Sequence, residues 1–128
     1  MAVTHPTAVR NSIADLVVDK LDSGAGSPSN GTLQMQTAGS VEVATLQFGV
    51  PAFGSASSGT ATANAITSDT NADGGTVTKA ILRDSSATTI ISCSVTATGG
   101  GGDIEISSTS VGAGDTVSMS SLTYSAPA

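Results

Sequence analysis

Two hydrophobic periods divide the chain. From Pro6 to Leu21 the large apolar residues fall at Val9, Ile13, Leu16, Val17 and Leu21, spacings of four, three, one and four that mark one stripe of an α-helix. Arg10, Asp15, Asp19 and Lys20 mostly occupy the rest of its surface. Pro6 suits a first helical turn with Thr4 or His5 as the cap, and Gly24 stands where a left-handed residue closes a helix. After the Gly/Ser-rich connection 24–31 the period becomes two.

Strands are predicted at Thr32–Gln36, Val41–Phe48, Thr60–Ser68, Thr76–Asp84, Thr88–Thr98, Asp103–Ser108 and Thr116–Tyr124, each bounded by Gly, Pro, Asn or Asp. Clean alternation, as in Ile91, Cys93, Val95 and Ala97, implies one buried and one wet face. In Val41–Phe48 the apolar set shifts from odd to even positions, and it shifts again between Val117 and Tyr124, so a bulge or a strand buried on both faces is expected there. The fold class is therefore mainly β: one antiparallel β-sandwich or jelly-roll-like domain over residues 1–128, with an N-terminal helical segment (1–23) and the sandwich at 32–128.

Composition narrows the function. Val, Leu, Ile and Phe together number 26 of 128 residues, a light core, so the isolated monomer is expected to be modestly stable and completed by partner surfaces. A net charge of −6 and a mean hydropathy of +0.19 argue against disorder. Only four cations, Arg10, Lys20, Lys79 and Arg83, are scattered along an acidic chain, which excludes nucleic acid as a partner. Neither a secretory signal nor a membrane-spanning run is visible, and Leu16-Val17-Val18 is the longest aliphatic run; synthesis in a cytoplasm without Sec export is the expectation.

Reactive chemistry is sparse. Asp69-Thr-Asn71-Ala-Asp73-Gly74 matches the first half of an EF-hand loop, making Asp69, Asn71 and Asp73 calcium candidates, but Ala80 stands where the bidentate Glu belongs and strands flank it. The alternative is an Asx-rich turn. Gly99–Gly102 lacks the Lys-Ser or Lys-Thr of a phosphate loop and reads as a mobile hairpin tip. His5 has no second His, and no Ser has a credible base, so no catalytic residue and no cofactor is assigned. Cys93 reads as a small buried hydrophobe, and Asp103 and Glu105 as the wet face of a strand. Asn30-Gly-Thr32 has the form of a glycosylation acceptor, which would be without consequence if the host is bacterial and no signal peptide exists.

Two stretches, Thr7–Gly26 and Val43–Gly54 leading to Gly59–Asp69, together with the closing Gly112–Tyr124, are similar in pattern to small virion-associated proteins of tailed bacteriophages. The resemblance implies a non-enzymatic structural role in the virion. Capsid decoration, or cementing, fits best: a β-protein outside the head that bridges major capsid protein subunits, with copies of itself, as in a homotrimer, as further partners. A tail or head-to-tail connector component, or a host-surface or glycan-binding module, is the alternative. For the interface, Phe53 and Pro51 in Gly49-Val-Pro-Ala-Phe-Gly54 form a candidate anchor, Phe53 equally suiting a cap over the sheet edge; the helical stripe with Val9 and Ile13 either packs on the domain or reaches a neighbour.

Overall fold

The helical period becomes α1, Thr7–Asp19, extended by one 3-10 turn at Lys20–Asp22, in a computed structural model that describes residues 3–24 and 30–126. Pro6 is itself the capping residue, extended at φ −63°, ψ 158°, in place of the expected Thr4 or His5; lacking a side-chain acceptor, it contributes only its carbonyl, which accepts from the Arg10 amide at 3.1 Å. Gly24 has the expected left-handed conformation, φ +108°. Most of the connection, residues 25–29, lies outside the described residues.

Ten short strands follow: β1 Thr32–Gln36, β2 Glu42–Phe48, β3 Thr60–Thr62, β4 Ile66–Thr67, β5 Gly75–Thr76, β6 Lys79–Arg83, β7 Thr89–Ala97, β8 Ile104–Ile106, β9 Ser110–Val111 and β10 Thr123–Ser125. Six form a curled sheet in the order β4-β2-β1-β6-β7-β8, and β3 with β10 and β5 with β9 form two small pairs. The result is a β-sandwich-like domain with an N-terminal helix. Its core face is a set of cross-strand contacts: Leu33 lies opposite Leu46 on one side and Leu82 on the other, and Met35 opposite Ala44 and Ala80. Against that face pack Ala14, Val18 and Leu21 of the helical segment, Ala52, Phe53, Ala61 and Ala126.

The phase shift in Val41–Phe48 is a bulge. The register slips between Met35 and Gln36, so consecutive residues Val43 and Ala44 are both buried. Other expectations are corrected. Thr60–Ser68 and Thr76–Asp84 each break in two, Thr116–Tyr124 contracts to β10, and β9 was not foreseen.

The sheet is also not wholly antiparallel: β7 and β8 run parallel, Val95 opposite Ile104 and Ala97 opposite Ile106. Gly99–Gly102 is therefore no hairpin tip. A parallel connection ordinarily needs a dozen residues, and here positive φ at Gly99 (+88°) and Gly101 (+79°) folds the chain back over Thr96 instead. A Cβ on Gly100 would meet Thr96 Cβ at 2.7 Å, so the turn closes only without side chains.

Candidate interaction surface

Side-chain oxygens, most of them carboxylate, hold much of this architecture together. Asn11, Asp15 and Asp22, spaced by four and seven, share one side of the helical segment, and their Oδ1 atoms accept from the amides of Gly59 (2.7 Å), Ala56 (2.8 Å) and Ala52 (2.8 Å). Asp84 Oδ1 accepts from Ser86 and Thr88, closing the β6–β7 turn, and Asp115 Oδ2 accepts from Gly112. Glu105 accepts from Gly99 and Gly101, each at 3.1 Å, and Asp103 Oδ2 from the Ser94 amide at 3.0 Å. Adding Asp69 and Glu42, eight of the ten acidic side chains accept a hydrogen bond from within the chain. On the wet strand face expected of Asp103 and Glu105, Glu105 is thus also a clamp on the glycine turn, while Asp103 is tied to Ser94 of β7.

The calcium candidates are placed the same way. Asp69 Oδ2 accepts from the Thr45 amide at 2.8 Å and Oδ1 from the Asn71 amide at 2.9 Å, the geometry of an Asx turn, while the Asp73 amide donates to Val43 O. Among the described residues no three His, Cys, Asp or Glu side chains converge as a metal-ligand set. Asn30 Nδ2 donates to Phe48 O at 2.8 Å.

Cys93 is half-buried, its Sγ 3.7 Å from Ala80 O. Burial, with a smaller contribution from the Asp103 carboxylate, raises its thiol from 9.0 to about 11. Such a thiol is a weak nucleophile at neutral pH.

Docking through Asn11, Asp15 and Asp22 rotates the helix away from the stripe that its large residues mark. Ala14, Val18 and Leu21 turn inward; Val9 (42% exposed) and Leu16 (62%) stay outside, seven residues apart on one ridge, with Ile13 partly buried against the core. Pro51 is exposed beside Val50. Phe53 is not an exposed anchor: it is 4% exposed, with its ring centroid 5.8 Å from that of Phe48, so it belongs to the hydrophobic core. The acceptor spacing at positions 11, 15 and 22 was the missed signal for this rotation.

A second feature is a groove between β8 and the C-terminal segment. A polar cavity of about 430 Å³ is lined by residues 103–107 and 118–123. It adjoins an apolar cleft of about 270 Å³ that includes Phe53, Leu82, Ile91, Cys93, Ile104 and Tyr124.

No family model, curated protein or solved structure matches this chain. Among the described residues no helix is long and apolar enough to cross a membrane.

Proposed function

We propose that this chain is a non-enzymatic capsid decoration protein of a tailed phage, bridging major capsid protein subunits on the outside of the head. The observation that supports the reading is the division of labour between its two kinds of side chain. Carboxylates are engaged in holding loops, whereas Val9 and Leu16 project from a helix fixed on its other side. A rigid domain with a narrow apolar ridge gains little from one contact but much from many copies fixed on a lattice.

The test is reconstitution on purified heads. Added protein should bind in fixed proportion to the major capsid protein and raise the temperature at which heads rupture. Val9→Asp with Leu16→Asp should abolish binding while the soluble domain keeps its thermal midpoint. Presence only at a neck or tail, or adsorption to host glycans without effect on heads, would refute decoration.

A further inference from the structure

We propose that the groove between β8 and residues 118–122 is an acceptor for an extended, basic segment of a second protein, which enters as an added β-strand. β8 is the last strand of its sheet, paired with β7 alone. Ile106 O accepts from Thr98 on the β7 side, so strand alternation turns the amide and carbonyl of Glu105 outward, into the groove. The opposite wall has the sequence character of a strand, Val117-Ser-Met119-Ser-Ser-Leu122, yet residues 118–121 join no ladder. A β-competent segment thus faces a free β-edge across a gap.

The gap has an apolar side. Ile106, Met119, Leu122 and Tyr124 pack on the core but remain partly exposed along it. Residues 103–107 span about 17 Å at the usual rise, room for a strand of roughly five residues. Backbone pairing would supply affinity, and alternate side chains would meet the half-buried apolar residues.

Charge identifies the occupant. Asp103, Glu105 and Asp115 line the groove and its continuation toward β9, and no Lys or Arg is among the described lining residues. This chain cannot donate the complementary strand: Arg10 and Lys20 lie in the helical segment, and Lys79 and Arg83 lie in β6, paired on both sides. With only those four cations, a second copy has no free basic extended segment to offer, so the strand is foreign.

The probe is acetyl-Lys-Val-Arg-Val-Lys-amide, titrated into the ¹⁵N-labelled full chain with amide shifts as readout. Shifts confined to residues 104–107 and 118–123 are expected, lost with the Glu-for-Lys/Arg peptide. Replacing the central residue by Pro, or making Ser107→Lys or Ser120→Lys in an otherwise unchanged fold, should weaken binding by about ten-fold or more. Absent shifts, equal binding of the acidic peptide, shifts centred on α1, or peptide-free dimerisation through the same residues would each overturn the proposal.

Discussion

Arg10 lies directly over Gly59: a Cβ at Gly59 would sit 2.6 Å from the guanidinium carbon, and φ +77° there already favours glycine. The same residue joins three parts of the fold, its amide donating to Asn11 Oδ1 and its carbonyl accepting from the Ala126 amide at 2.9 Å. Gly59→Ala should therefore destabilise by about 1–3 kcal/mol, chiefly through the left-handed strain, with a smaller part from displacing the flexible end of Arg10. Adding Arg10→Ala should relieve the clash but not the backbone strain. Urea denaturation should then show the double variant less unstable than the sum of the two single changes.

Asp22→Ala removes the acceptor for the amide of Ala52, a buried residue, and a stranded buried donor costs about 1–3 kcal/mol. Asp22→Asn keeps an Oδ1 acceptor and should cost clearly less. Amide exchange at Ala52 should accelerate in the Ala variant more than exchange in the central strand β1.

These two sites show what was legible in the sequence. The helix, the β-rich remainder and the bulge before Phe48 followed from periodicity, because burial of large side chains imposes it. The rotation of the helix did not. It is set by hydrogen bonds that Asn11, Asp15 and Asp22 accept from amides 30 to 48 residues away; the spacing of these acceptors marks the docked side, but the periodicity of the large apolar residues points elsewhere. Phe53 was ambiguous for a similar reason: an aromatic between Gly and Pro suits a loop anchor, but Phe48 supplies the partner that draws it inward. The parallel β7–β8 pair was hidden because tetraglycine permits both a hairpin and the fold-back, and the choice depends on Glu105 and Thr96 meeting its amides.

Glu105→Ala should loosen the glycine turn without unfolding the domain. Its carboxylate is exposed, so the global cost should stay within about 1 kcal/mol, while exchange at Gly99 and Gly101 rises selectively. Gly100→Ala, forced against Thr96 Cβ, should cost more than Glu105→Ala in the same denaturation assay.

Cys93 gives the chain a pH dependence at its alkaline end. Its thiol is raised from 9.0 to about 11, first by burial and then by Asp103. Well below pH 9 both the folded and unfolded thiols are protonated, so Cys93 adds almost no slope. Between pH 9 and 11 the unfolded chain loses the proton that the folded chain keeps, so stability falls as pH rises; Cys93→Ala should flatten that part of the curve. At pH 8 the thiolate share falls from about 10% at a pKa of 9 to about 0.1% at 11. Iodoacetamide should accordingly label the native protein roughly a hundred-fold more slowly than the urea-unfolded chain. Asp103→Asn should recover only a minor part of that difference, because burial is the larger cause. Equal labelling rates in the two states would show that the cleft does not shield the thiol.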